Sequence, residues 1–70
     1  METDFEKMAH VERRRLADDW MEAIKMTGRN LSSWETDFVD SLDTQMARPG
    51  FAPSPKQMLH IERIYAERTS

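Results

Sequence analysis

Few side chains in this sequence could carry out acid–base or nucleophilic chemistry, and their spacing keeps them apart. His10 and His60 fall on polar faces of different predicted helices, where both are expected to be solvated, and cysteine is absent. Hydrolysis requires a base, an oriented nucleophile and a pocket shielded from water. A zinc site requires about four ligands close in space. The sequence therefore predicts a protein that is not an enzyme and that holds no metal or cofactor.

Three aspartates recur every third residue, at Asp37, Asp40 and Asp43, on the predicted outer side of one helix. Residues 31–50 contain four acidic residues and one basic residue. A magnesium site would normally also involve a phosphate-bearing substrate, and the sequence has no phosphate-binding loop. Two interpretations remain. The aspartates form a solvated helix face, or they form an acidic stripe that docks on a basic groove of a nucleic-acid-handling protein.

The only basic cluster is Arg13–Arg15. Consecutive helical residues spread over about 200°, so the three side chains cannot form one flat patch. Glu12 and Asp18 stand at spacings that favour ion pairs within the helix. The alternative is a nucleic-acid-binding accessory module that uses Arg13–Arg15, Lys25 and Arg29, although the net charge of −3 opposes it. Binding of single-stranded nucleic acid also requires exposed aromatic side chains among the basic residues of the protein. The aromatic side chains that could serve this purpose instead fall on predicted apolar stripes. They are Trp20, Trp34, Phe38 and Tyr65.

Three amphipathic segments must position these side chains. Each opens with a capping box, in which Ser or Thr is followed three residues later by Glu or Gln, at Thr3, Ser32 and Ser54. The first segment should end at Gly28, because glycine adopts the left-handed conformation at a helix end at little cost. The second should end at Arg48-Pro49-Gly50. The predicted helices span roughly residues 4–26, 33–47 and 55–67.

Apolar residues recur at helical spacing on one face of each segment. The predicted core residues are Phe5, Ala9, Leu16, Trp20, Ala23 and Ile24 in the first segment, Trp34, Phe38, Val39, Leu42 and Met46 in the second, and Met58, Ile61, Ile64 and Tyr65 in the third. The expected fold is all-α, a small three-helix arrangement in which a helical hairpin is accompanied by a longer N-terminal helix. The first helix has the least regular apolar stripe, and it is expected to pack elsewhere than on the hairpin formed by the second and third helices. Residues 67–70 are expected to fray.

Residues 31–67 carry a pattern of the form LSxWExxFxxSL followed by SxKQxxxxxRIY. The first part runs from Leu31 to Leu42 and the second from Ser54 to Tyr65. This pattern resembles a short helical hairpin of small phage and prophage proteins and of the ends of phage replication proteins. The chain departs from it in the link at residues 46–52 and at His60, where an aliphatic residue is usual. The resemblance implies a phage-linked context and transfers no active site.

Length and composition limit the class of protein. Seventy residues, 39% hydrophobic and 33% charged, predict one globular domain over 1–70. A core of this size supplies about 3–5 kcal/mol of stability, so helix packing, oligomerisation or docking on a partner must suffice without disulfides. No apolar run approaches the roughly 20 residues that span a bilayer. The acidic N-terminus lacks the features of a secretion signal. A cytoplasmic location is expected, in the host if the chain is phage-encoded.

The expected contact surfaces combine the first helix with the acidic stripe. Val11 and Met21 fall outside the main apolar stripe of the first helix, and six methionines in the chain favour an adaptable surface. The predicted partner-binding residues are Val11, Arg14, Met21, Asp37, Asp40 and Asp43. The favoured function is a non-enzymatic interaction module that binds, and by binding inhibits, a host protein. Homodimerisation through the first helix is also expected.

Overall fold

The computed structural model describes residues 4–69, which form a short 3-10 turn and three α-helices. The turn spans Phe5–Lys7, α1 spans His10–Thr27, α2 spans Ser33–Met46 and α3 spans Pro55–Arg68. No strand occurs within this part of the chain. The all-α, three-helix arrangement predicted from the sequence is therefore confirmed.

The starts of α2 and α3 are capping boxes. The Ser32 hydroxyl accepts a hydrogen bond from the Glu35 amide at 3.1 Å, and the Glu35 carboxylate accepts one from the Ser32 amide at 2.8 Å. Ser54 and Gln57 repeat the pair at 3.2 and 2.9 Å, with Pro55 at the first helical position. These bonds satisfy amides that the first helical turn leaves without a partner.

The first segment is not the single helix over 4–26 that the sequence predicts. The chain is extended at Met8 and Ala9, so α1 begins only at His10 and has no side-chain cap. The predicted capping residue Thr3 lies outside the described residues. The Met8 carbonyl accepts a hydrogen bond from Arg13 Nη1 at 2.8 Å, and the Phe5 carbonyl accepts one from Arg13 Nη1 at 3.1 Å as well as one from the Met8 amide at 3.2 Å. The Arg13 side chain thus adds hydrogen bonds to the few backbone bonds at the point where the helix breaks.

The ends of α1 and α3 also differ from expectation. Gly28 has φ −65°, so the predicted left-handed conformation is wrong. A Cβ at this position would stand 2.4 Å from the Ile24 carbonyl oxygen, so close approach is the property that requires glycine here. Positive φ occurs instead at Asn30 and Gly50. α3 extends through Arg68, one residue beyond the predicted end at residue 67, and Ser70 of the segment predicted to fray lies outside the described residues.

The longest packed interface joins α1 to α3, and the 3-10 turn also packs on α3. The expectation that the first helix packs elsewhere is therefore wrong. Trp20 links the two helices through rings: it contacts Phe5 edge to face at 6.1 Å and stacks on Tyr65 at 5.8 Å, centroid to centroid. α2 crosses α1 over a shorter contact.

The core contains apolar residues from every element. Its buried apolar members are Phe5, Ala17, Met21, Ile24, Val39, Leu42, Met46, Met58, Ile61 and Ile64. The core face of α1 is rotated relative to the prediction, because it passes through Arg13, Ala17 and Met21. Ala9 is exposed, and Trp34 is 56% exposed, so neither is the core residue that the sequence predicts.

Candidate functional site

Arg13 and Arg14 anchor α1 to the link between α2 and α3. Arg13 is only 7% exposed. Its Nε donates to the Pro53 carbonyl at 2.8 Å, and its Nη1 donates to the carbonyls of Phe5 at 3.1 Å and Met8 at 2.8 Å. The buried guanidinium is therefore solvated by carbonyl oxygens rather than by a carboxylate, which satisfies its donors in a site with little water.

Arg14 caps the C-terminal end of α2. Its Nη2 donates to the Met46 carbonyl at 2.6 Å, and its Nη1 donates to the carbonyls of Phe51 at 2.7 Å and Arg48 at 3.2 Å. A cation at this end also complements the helix dipole. The structure therefore places Arg14, predicted as a partner-binding residue, inside the molecule's own hydrogen-bond framework.

The basic residues of the nucleic-acid alternative are mostly engaged within the chain. Within residues 4–69, no carboxylate lies at ion-pair distance from Arg13, Arg14 or Arg15. The predicted ion pairing within the first helix is thus wrong, since the bonds of Arg13 and Arg14 go to backbone carbonyls. The Lys25 amine lies 2.6 Å from an Asp43 carboxylate oxygen. Arg15 and Arg29 are exposed.

The residues predicted to contact a partner do not form one surface. Val11 is 64% exposed, as expected for a contact residue, whereas Met21 is 3% exposed and belongs to the core. The prediction that Met21 lies outside the core is wrong, because it follows Arg13 and Ala17 at four-residue spacing on the inner face of α1. The orientation of the core face of α1 thus buries Met21 and leaves Val11 exposed to solvent.

The three aspartates of α2 separate into two environments. Asp43 faces α1, where it pairs with Lys25. Asp37 and Asp40 are exposed, and neither makes an ion pair within the described range of the chain. Asp37 and Asp40, named here the acidic ridge, are therefore the members of the predicted stripe whose charge is left for a partner.

An aromatic cluster that the sequence reasoning missed stands beside the acidic ridge. Trp34 and Phe38 of α2 stack with centroids 5.6 Å apart, and His60 of α3 meets each ring edge to face at 5.5 Å. We name these three residues the aromatic patch. Trp34 remains more than half exposed, while Phe38 and His60 are half-buried. The expectation of a fully solvated His60 is therefore wrong.

One feature of the sequence could have revealed this patch. Glu35, Val39, Leu42 and Met46 form a second stripe at helical spacing, and this stripe is the one that is buried. Trp34 lies one position before Glu35 and hence about 100° away from it around the helix. The four-residue spacing of Trp34, Phe38, Leu42 and Met46 instead predicts a core face that includes Trp34 and leaves out Glu35.

Glu35 belongs in the core because Arg68 pairs with it. The Arg68 Nη2 and Nε atoms lie 2.9 and 3.0 Å from Glu35 Oε1, and Nε lies 3.2 Å from Oε2. The hydrogen bond from the Ser32 amide, followed by those from Arg68, holds the pKa of Glu35 below its usual 4.5. One carboxylate thus caps α2 and fastens the end of α3 to it.

Residues 4–69 also form a shallow concave surface. A groove between α1 and α2 is lined by Asp18, Met21, Glu22, Lys25, Met26 and Asp43. Among the residues that the structure describes, no group of three or more His, Cys, Asp or Glu side chains could hold a metal ion. The helices within this range are also too short or too polar to cross a membrane.

Comparison of the chain with protein-family models, curated proteins and solved structures finds no match. The resemblance of residues 31–67 to a phage helical hairpin therefore stays a prediction.

Proposed function

We propose that this chain is a non-enzymatic interaction module that binds another protein through the outer surface of α2. The observation that carries the proposal is the exposure of Trp34 within the aromatic patch. A tryptophan that is more than half exposed forgoes much of the stabilisation that its burial would provide. Tryptophan is also among the residues most enriched at the energetic centres of protein interfaces.

The rigidity of the patch supports a binding role. Phe38 and His60 contact the Trp34 ring from two helices, which restricts its side-chain rotamers before any partner arrives. Ordering a flexible side chain at an interface costs about 0.5–1.5 kcal/mol, and a ring that is already held avoids much of that cost. The patch therefore offers a large apolar contact area in a preformed position.

The acidic ridge supports a partner with a basic surface. Asp37 lies one helical turn from Trp34, and Asp40 lies one turn further along. Proteins that handle nucleic acids present basic grooves, and an acidic surface can occupy such a groove in place of phosphate and accelerate association. We accordingly propose a phage-linked protein that binds, and by binding inhibits, a host protein of this class.

The rival functions have less support. A nucleic-acid accessory module would rely on Arg13–Arg15, Lys25 and Arg29. The charged groups of Arg13, Arg14 and Lys25 are bonded within the chain, which leaves Arg15 and Arg29 exposed. A homodimer through the first helix would rely on Val11 without Met21, because Met21 is buried. The outer surface of α2 thus remains the better-supported contact surface.

The test is affinity capture from a bacterial lysate, quantified by mass spectrometry against two variants. Trp34→Ala and Asp40→Lys should each abolish enrichment of the captured protein while the helical circular dichroism spectrum is unchanged. Asp19→Lys, an equal charge reversal at an exposed site on α1, is the matched control and should retain capture. Enrichment that is equal for all four proteins, or capture of nucleic acid alone, would contradict the proposal.

A further inference from the structure

We infer that the aromatic patch and acidic ridge recognise an arginine on a basic, amphipathic segment of the partner protein, a conclusion that rests on the proposed function. The inference begins with the charges of α2. This helix contains no basic residue, and its acidic residues other than Asp37 and Asp40 are neutralised by Arg68 and Lys25. The exposed side of α2 is therefore uniformly negative beside the aromatic patch.

This charge pattern selects among the classes of occupant. In the orientation that brings the acidic ridges of two copies together, Asp37 and Asp40 would lie close to the same residues of the second copy, and such like-charge contacts are unfavourable. Phosphate groups of nucleic acid or of an anionic membrane would meet the same repulsion. A cationic protein segment meets no such repulsion.

The geometry favours arginine over lysine as the cation. Trp34 and Asp37 are three residues apart on one helix, so their side chains are neighbours at the surface. A guanidinium can stack flat on an indole ring while its N–H groups bond a carboxylate, whereas an ammonium is a strongly hydrated point charge that cannot stack. Trp34 and Asp37 together provide both halves of that contact.

The other edge of the aromatic patch limits where the cation can lie. On α3, Lys56 is exposed one turn before His60, and Arg63 lies 3.8 Å from the Glu67 carboxylate. The other acid of that stretch, Glu62, is two residues from His60 and therefore lies about 200° away from it around the helix, so α3 places no uncompensated acid on the side of the aromatic patch. The arginine is directed to the α2 edge, and apolar side chains of the segment are directed to Phe38 and His60.

The experiment is a titration of the intact protein with three synthetic helical peptides of one design. Each peptide has leucines on one face, and the positions that flank this face bear arginine, lysine or glutamate. Binding is followed by nuclear magnetic resonance, using the two indole N–H signals assigned with Trp34→Phe. The arginine peptide should shift the Trp34 signal and leave the Trp20 signal in place, with a Kd several-fold lower than that of the lysine peptide. The glutamate peptide should not bind.

Variants assign the contact to its residues. Trp34→Ala should raise the Kd of the arginine peptide by about thirtyfold or more, which is the size of effect that defines an interface hot spot. Asp37→Asn should weaken it by up to about fivefold, as for an exposed ion pair. Asp19→Asn removes one charge elsewhere and should change the Kd by less than about twofold, through screened long-range attraction alone.

Three outcomes would overturn the inference: equal Kd values for arginine and lysine peptides, binding of the glutamate peptide, or self-association through the Trp34 surface in analytical ultracentrifugation. These outcomes are distinct from failure of the proposed function. If lysate capture still depends on Trp34 while the arginine peptide does not bind, the interaction module stands and the arginine contact is wrong. If lysate capture does not depend on Trp34, the proposed function fails first.

Discussion

Replacing Arg13 by methionine tests the anchoring of α1 most directly. Methionine keeps much of the side-chain volume but removes the donors to the carbonyls of Phe5, Met8 and Pro53. A hydrogen bond from a charged group contributes about 1.5 kcal/mol or more, so three of them lose about 4–5 kcal/mol before any offset. Part of this loss is offset, because the methionine variant no longer has to desolvate a buried charge on folding. The expected net loss is about 3 kcal/mol.

That loss is large for this chain. A domain of this size has about 3–5 kcal/mol of stability in total, so Arg13→Met should leave a substantial unfolded fraction at 25 °C. Urea unfolding, followed by circular dichroism and tryptophan fluorescence, should show a midpoint lower by about 2–3 M for an m-value of about 1 kcal/mol/M. The matched control is Arg15→Met, at an exposed neighbouring position, which should change stability by no more than about 0.5 kcal/mol.

The same comparison separates carbonyl anchoring from ion pairing. If arginine–carboxylate pairs stabilised α1, Arg13→Met and Arg15→Met would cost similar amounts, and both costs would shrink in 1 M salt because surface pairs are screened. Bonds from a buried guanidinium to neutral carbonyls should instead give a large, salt-insensitive loss at Arg13 alone. A loss below about 1 kcal/mol at Arg13, or equal losses at both positions, would refute the reasoning.

Two further predictions concern pH and backbone packing. Because the folded-state pKa of Glu35 is lowered, its bonds stabilise the protein above about pH 4.5, and that contribution should disappear as pH falls through the folded pKa. Glu35→Gln should therefore flatten the decline of the urea midpoint between about pH 5 and 3, and an unaltered decline would contradict the assignment. Gly28→Ala would place a Cβ 2.4 Å from the Ile24 carbonyl oxygen, so its melting temperature should fall by more than that of the exposed variant Ser41→Ala. Equal melting temperatures for the two variants would contradict this prediction, because they would show that the backbone near residue 28 accommodates a Cβ without cost.

The elements whose stabilising contacts are local were predictable from the sequence. The capping boxes at Ser32 and Ser54 involve residues three positions apart, so the pattern contains both partners of each hydrogen bond. The core face of α3 is likewise set by spacing along one helix, and Met58, Ile61 and Ile64 are buried as expected. Local chemistry therefore accounts for two of the three helices.

The departures arise where a residue's partner is distant in the chain. Arg13 bonds the Pro53 carbonyl, and Glu35 pairs with Arg68, so each polar residue is buried by a contact that its own helix does not reveal. Apolar spacing alone does not include these polar residues, so the predicted core faces are rotated, with Met21 outside and Trp34 inside, whereas Met21 is buried and Trp34 is exposed. The candidate site was predictable only in part: Asp37 and Asp40 were identified, and the aromatic patch was not.

The manner in which Arg13 and Arg14 contact the link has a consequence for how the sequence can diverge. Their acceptors are main-chain oxygens, and every amino acid offers the same oxygen whatever its side chain. A substitution at the exposed Arg48 can therefore leave its bond to Arg14 in place, whereas Phe51 is also constrained by its packing on the core. The anchoring of α1 therefore depends on the path of the main chain through the link, which the positive φ of Gly50 helps to set, more than on the side chains that the link carries.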